Sequence, residues 1–290
     1  MFNFIQIDQA EVYKKSQIKL KTKIFIMEAE IMKVHIIGGG NLGVALAAGM
    51  SKFCNDTIVT VTRRNVQKIQ YLEDKNIRVS SDNKFEIDKA DIVILTVKPY
   101  QVDTVLNEIL PYIKNKIIAS AVSGLSIDEL EERTKKDHQI VRLMPNIAAQ
   151  FGASATCISF TQRSNEAGKI IMDMFGHLGT ALVIEEKLMD GATILGACGT
   201  AYALRYIRAA MQAGIEIGFD SQTALAIASQ TVKGAAQMSL EENVHPEQLI
   251  DRVTTPQGCT IVGLNEMEHQ GFSSSLIKGI KTSFDKINKK

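Results

Sequence analysis

From Lys33 onward, short apolar runs alternate with longer stretches of mixed polarity. KVHII (33–37) is apolar and ends in GGGNLG, and the Ala- and Leu-rich stretch 41–53 that follows repeats its apolar residues at helical spacing. This predicts strand, tight turn, helix. TIVTVT (57–62) is β-branched and predicts a second strand, with the polar segment 65–74 forming the next helix. ADIVILTVKP (90–99), KIIASAV (116–122), QIVRLM (139–144), SATCISF (154–160) and ALVIE (181–185) are further strand candidates, with helix-length stretches at 101–113 and 127–135 among them. Apolar runs without polar alternation belong to strands covered on both faces. Their repetition with helices predicts an α/β fold with a doubly wound, mostly parallel sheet.

The texture changes near residue 186. From 188 the chain is rich in Ala, Leu, Ile, Met, Gln and Glu, with breaks at Gly218-Phe219-Asp220, His245-Pro246 and Thr255-Pro256-Gln257-Gly258. An all-helical second domain is expected. Its stretch 200–218 is apolar around much of its circumference, so other helices must bury it. With about a hundred residues in the domain, a second copy of the chain is the expected source of that cover. Residues 1–32 have neither the apolar core nor the cleavage site of an export signal. Asp8, Glu11, Glu28 and Glu30 argue against an acid-poor transit peptide, and Met27 or Met32 would each begin a sensible protein, so this segment is read as an extension.

Composition narrows the classes. The 290 residues are 45% hydrophobic, 22% charged and 6% aromatic, which excludes disordered, collagenous and rod-like chains. A net charge of +1 offers no global field for nucleic acid or an anionic membrane, so any anion is bound locally. No apolar run reaches the ~20 residues of a membrane span. Cys54, Cys157, Cys198 and Cys259 lie far apart without a C-x-x-C pair, against a zinc ribbon or disulfide scaffold and for a reducing, cytoplasmic setting.

Gly38-Gly39-Gly40-Asn41-Leu42-Gly43 fits G-x-G-x-x-G between a strand and a helix. In that pattern Gly38 permits the tight turn, Gly40 lets backbone approach a pyrophosphate, and Gly43 allows close packing of helix on strand. The site is thus read as dinucleotide-binding. NAD-binding chains place a carboxylate at the end of the second strand for the ribose 2′-hydroxyl. This chain has Thr62-Arg63-Arg64-Asn65 instead, and guanidinium groups suit a 2′-phosphate in charge and fork geometry. NADPH is therefore expected over NADH. The five histidines are single, with no metal-ligand or nucleophile spacing, and His245 before Pro246 reads as a turn residue. In the second domain, a Thr-Thr-Pro-x-Gly turn precedes a helix restarting at Cys259. Free amides and threonine hydroxyls there suit a small carboxylate, although an ordinary capped helix start has the same composition.

IGGGNLG, the Asp82-Asn83 pair before ADIVILTVKP, VRLMPN (141–146), MDGATILGACGTAY (189–202) and VTTPQGCT (253–260) resemble, in order and spacing, the pyrroline-5-carboxylate reductase family. The resemblance runs from Lys33 to about Lys286, and its last motif is highly specific. It implies a Rossmann-like NADP(H)-binding domain at 33–186 and a helical domain at 187–290 for dimerisation and substrate binding. The implied activity is hydride transfer from NADPH to C5 of (S)-1-pyrroline-5-carboxylate, giving L-proline. By the same resemblance, Gly38, Gly40, Asn41, Leu42 and Gly43 would cradle the pyrophosphate. Thr62, Arg63, Arg64 and Asn83 would surround the adenosine ribose and its phosphate, and Val97, Lys98 and Pro99 the nicotinamide ribose. Thr255, Gly258 and Cys259 would hold the substrate carboxylate, with the Thr260 hydroxyl on the ring nitrogen and no strong general acid.

Three positions depart from the family pattern: Ile147-Ala148 stand for Thr-Pro, Cys198-Gly199-Thr200 for Ser-Gly-Pro, and Gln257 for a glycine. Gln257 matters most, since a side chain disfavours the positive φ that glycine permits. Three other readings stay open: a non-catalytic NADPH-binding paralogue, a reductase of a related imine or hydroxyacid, and a purely structural assembly protein that would need neither Arg63 nor the glycine loop.

Overall fold

The computed structural model describes residues 31–288, so the extension reading falls largely outside the described residues. The first domain holds β1 (Met32–Ile37), α1 (Asn41–Phe53), β2 (Thr57–Thr62), β3 (Arg78–Ser80), β4 (Ile92–Leu95), α2 (Val102–Ile109), β5 (Ile117–Ser120), α3 (Ile127–Arg133), β6 (Gln139–Met144), β7 (Ser154–Phe160), α4 (Asn165–Gly176) and β8 (Gly179–Val183). Met32, placed in the extension by sequence, is the first residue of β1 and pairs with Thr57.

The strands form one sheet in the order β3-β2-β1-β4-β5-β6-β7-β8. Its first six strands have the doubly wound order, which reverses between β1 and β4. All pairs are parallel except β6 with β7. The connection 145–153 is too short for a crossover, which needs a dozen or more residues, so β7 runs back beside β6.

Strand side chains alternate between two cores. Val34, Ile36, Val59, Val61, Ile92 and Ile94 meet Leu46 and Met50 of α1 and Ile171 and Phe175 of α4 on one face. Ile37, Val93, Leu95, Ile118 and Ile140 meet Val102, Leu106 and Ile109 of α2 and Leu130 of α3 on the other. The expected helix at 65–74 is replaced by two 3-10 turns, Val66–Lys68 and Gln70–Lys75. Ile69 and Leu72 are buried there, no side chain caps either turn, and left-handed Asn76 ends the segment. β3, not expected from sequence, follows as a three-residue edge strand on β2.

The second domain contains α5 (Met189–Ala192), a π-helical segment (Thr193–Cys198), α6 (Gly199–Glu216), α7 (Ser221–Glu242), α8 (Pro246–Arg252), α9 (Cys259–His269) and α10 (Phe272–Asn288). Asp220 caps α7 by accepting the Gln222 and Thr223 amides at 3.0 Å each. His245 caps α8 through Nδ1, which fits its sequence reading as a turn residue. The Tyr202 hydroxyl bonds Ser283 Oγ at 2.7 Å, and the Tyr206 ring meets Phe272 edge-on, tying α6 to α10. No residue of α6 or α9 is buried within one chain, and Leu204, Ile215, Leu225, Ile227, Val262 and Ile277 are exposed.

At the end of the first domain, Glu186 accepts both from Arg142 Nη1 at 2.9 Å and from the Ile127 amide at 2.7 Å. Asn146, after β6, donates through Nδ2 to the Gly196 carbonyl of the π-helical segment. Thr200 donates to the same carbonyl, so this departure from the family pattern is accommodated by a local bond.

Candidate active site

The carboxyl ends of β1, β2, β3 and β4 open on one cleft of ≈ 720 Å³, at the point where the strand order reverses. Gly38, Gly40, Thr62, Arg63, Arg64, Asn83, Val97 and Lys98 all line it. Asn41, Leu42 and Gly43 form the first turn of α1 beside it, and Pro99 begins the turn carrying Tyr100 and Gln101 into its wall.

Local bonds shape the glycine loop. The Thr62 carbonyl accepts from the Gly38 and Gly39 amides at 3.1 and 2.8 Å, and Gly38 has φ +110°. A Cβ on Gly43 would stand 2.3 Å from the Gly38 carbonyl oxygen, so α1 starts as close to β1 as backbone permits. Thr96, missed in the sequence, donates from Oγ1 to that same oxygen at 2.8 Å. Gly40 is the N-cap of α1 and brings no side-chain oxygen, so the first-turn amides stay open to an external anion.

The two arginines are not equivalent. Arg63 donates from Nη1 to the Gly39 carbonyl at 2.7 Å and so braces the loop. Arg64 is exposed and has no hydrogen bond or ion pair among the described residues. Gly40 leaves open space where a Cβ would stand. These residues fit a dinucleotide bearing a 2′-phosphate.

Asn83 is held from several sides. Thr62 Oγ1 donates to its Oδ1 at 2.6 Å, and its Nδ2 donates to Glu108 Oε2 at 2.9 Å. His35, 1% exposed on β1, hydrogen-bonds the Asn83 backbone, while its Nε2 has no partner. Burial pushes the His35 pKa down to about 4, against that bond and the charge of Asp82.

Thr255, Gly258, Cys259 and Thr260 do not line this cleft within one chain. They form a separate turn into α9, closed by the Gly258 amide on the Thr255 carbonyl at 2.9 Å. Gln257 adopts φ +59°, so the left-handed conformation expected of glycine is kept with a side chain in place. A Cβ on Gly258 would lie 2.4 Å from Thr255 Oγ1, so the small residue brings that hydroxyl close to the helix start. Thr255, Cys259 and Thr260 are exposed there.

Fold and cleft together define a two-domain NAD(P)-dependent oxidoreductase. Residues 33–124 match the family model described as NADP oxidoreductase, coenzyme F420-dependent, and residues 186–290 match pyrroline-5-carboxylate reductase dimerisation. Pyrroline-5-carboxylate reductase 2 of Dictyostelium discoideum is 42% identical over 88% of this chain and 92% of its own. Reductase 1 of the same organism is 44% identical over 87% of this chain, which spans about half (49%) of that longer protein. The crystal structure of pyrroline carboxylate reductase from Plasmodium falciparum, with NADP bound, superposes with a TM-score of 0.77 at 28% identity, covering 89% of this chain and 97% of that one. The chain belongs to the pyrroline-5-carboxylate reductase family.

Proposed function

We propose that this chain reduces the C=N bond of (S)-1-pyrroline-5-carboxylate with NADPH, forming L-proline as the last step of proline biosynthesis. The observation that carries this reading is the glycine-loop cleft with an uncommitted Arg64, in a chain aligned along nearly the whole of a named pyrroline-5-carboxylate reductase. Residues 33–186 bind the cofactor and 187–290 dimerise and bind substrate. The open first-turn amides of Asn41, Leu42 and Gly43, with Gly38 and Gly40, hold the pyrophosphate. Thr62, Arg63, Arg64 and Asn83 surround the adenosine ribose and its phosphate, while Val97, Lys98 and Pro99 line the nicotinamide ribose. Arg64 favours NADPH over NADH, because a 2′-phosphate offers the guanidinium an opposite charge and a bidentate pairing that a hydroxyl does not. When bound, NADPH supplies the hydride that reduces the imine carbon.

Thr255, Gly258 and Cys259 hold the substrate carboxylate through hydroxyl and backbone N–H, and Thr260 orients the ring nitrogen. An imine nitrogen takes its proton from solution, so these residues align the reactants rather than protonate them. Because the substrate turn and the cofactor cleft are separate in one chain, the complete site needs a second copy. The exposed apolar residues of α6, α7, α9 and α10 support a homodimer as its source. The setting is cytoplasmic, with neither nucleic acid nor membrane as partner.

The test follows NADPH absorbance with purified full chain, with and without pyrroline-5-carboxylate, and identifies proline in the product. Turnover that falls in Thr260→Ala while the NADPH Kd holds is the expected result. NADPH binding without turnover would instead favour the non-catalytic paralogue, with Ile147-Ala148, Thr200 and Gln257 as the positions to revert. Turnover only with another imine or a hydroxyacid would move the substrate assignment.

A further inference from the structure

We propose that Glu108 is a positioning residue for cofactor binding, fixing the Asn83 amide in the one orientation that presents a donor to the dinucleotide. This rests on the cofactor placement proposed above. Gln101, Thr104, Val105 and Glu108 recur at helical spacing and line the cleft. Val102, Leu106 and Ile109, on the other flank of α2, are buried against the sheet. The helix is therefore anchored in rotation, and Glu108 is carried to the cleft wall by the core behind it.

Among the described residues, half-buried Glu108 forms no ion pair, and its hydrogen bond is the one accepted from Asn83 Nδ2 at 2.9 Å. A carboxylate accepts and never donates, so it selects the amide nitrogen and turns the amide oxygen away. That oxygen faces Thr62, which is fully buried and donates to it at 2.6 Å. The hydroxyl could accept from a flipped amide as readily as it donates, so Glu108 alone closes the flip, which would set the amide oxygen against a carboxylate that cannot donate. One Asn83 N–H stays uncommitted, suited to an oxygen acceptor on ribose or phosphate. Without Glu108 the amide is free to turn, and binding must then order it.

The test is direct titration of NADPH and NADH against the full chain, reading Kd from nucleotide fluorescence. Glu108→Ala should weaken both dinucleotides by about five- to ten-fold, the scale of one oriented hydrogen bond. Glu108→Gln can accept from Asn83 or donate to it, so it keeps a bond without selecting the orientation, and both Kd values should fall between those of wild type and Glu108→Ala. Asn83→Ala with Glu108→Ala should bind no more weakly than Asn83→Ala alone, since the two residues act as one unit. Wild-type affinity in Glu108→Ala or in Glu108→Gln, or full additivity in the double variant, would each overturn the role. If Asn83→Ala leaves both affinities intact, the cofactor placement itself fails. If Asn83→Ala weakens them and Glu108→Ala does not, only the role of Glu108 fails.

Discussion

Replacing Arg64 by alanine isolates the 2′-phosphate from the rest of the cofactor. The side chain is exposed and makes no bond to the described protein, so its loss removes no internal support. A charge-assisted bond to phosphate is worth about 1.5–3 kcal/mol, and exposure to solvent places Arg64 near the lower end. At about 1.4 kcal/mol per decade, NADPH should bind roughly 10-fold more weakly to Arg64→Ala. NADH, which has a hydroxyl there, should change by less than about two-fold. The same logic makes Arg63 a poor probe of selectivity. Its Nη1 bond to the Gly39 carbonyl, at 2.7 Å, braces a loop that either dinucleotide needs. Arg63→Ala should therefore weaken NADPH and NADH together, and a double substitution would mix the two effects. Titration of each variant with each cofactor, at low and high salt, separates them, because the Arg64 contribution should shrink as screening rises. Equal losses of NADPH and NADH affinity in Arg64→Ala would refute the placement of the phosphate.

Gly258→Ala places a Cβ 2.4 Å from Thr255 Oγ1 and should raise the KM for the imine by about ten-fold, the value of one displaced hydroxyl contact, while NADPH affinity holds. Unchanged KM would remove this turn from the substrate site. Glu186→Ala strands the Arg142 guanidinium, whose side chain is 7% exposed, and should cost about 3 kcal/mol in urea unfolding. A loss below about 1 kcal/mol would make the pair dispensable. His35 binds fewer protons folded than unfolded between pH 6.5 and about 4, so stability is full above that range and declines as pH falls through it. The decline attributable to His35 is about 3 kcal/mol, and His35→Gln should flatten it; an identical slope in both proteins would refute the assignment.

What could be read from the chain was whatever its local chemistry demands. Gly38 needs its positive φ and Gly43 its missing Cβ because the strand and helix on either side leave no alternative, and the motif spells out both. The apolar runs at 57–62 and 139–144 became strands with those bounds, since residues of that kind find cover only inside a sheet. Arg78–Ser80 carries no such run. It becomes a strand because β2 offers an open edge, a property of its neighbour rather than of its own sequence. Segment 65–74 fails as a helix for the converse reason: two buried side chains and no cap fix its position without fixing its pitch.

The same distinction separates Arg64 from Glu108. Arg64 follows the glycine loop at a spacing that names its task, whereas Glu108 reaches Asn83 across 25 residues of chain and is one more polar residue of an amphipathic helix until the sheet brings both to one cleft. A pattern of sequence reports a contact only when both partners lie within the reach of one turn or one strand. The substrate turn at 255–260 extends this argument beyond the single chain. Its residues are legible as a motif, yet they stand apart from the cleft that must supply the hydride, and α6 shows no buried residue at all. Under the proposed function, an unburied apolar helix and a substrate turn apart from the cleft have one explanation in a second copy of the chain. In the proposed homodimer, the surface that covers α6 also brings a substrate turn to a cofactor cleft, so a variant that dissociates the dimer should lose turnover with it.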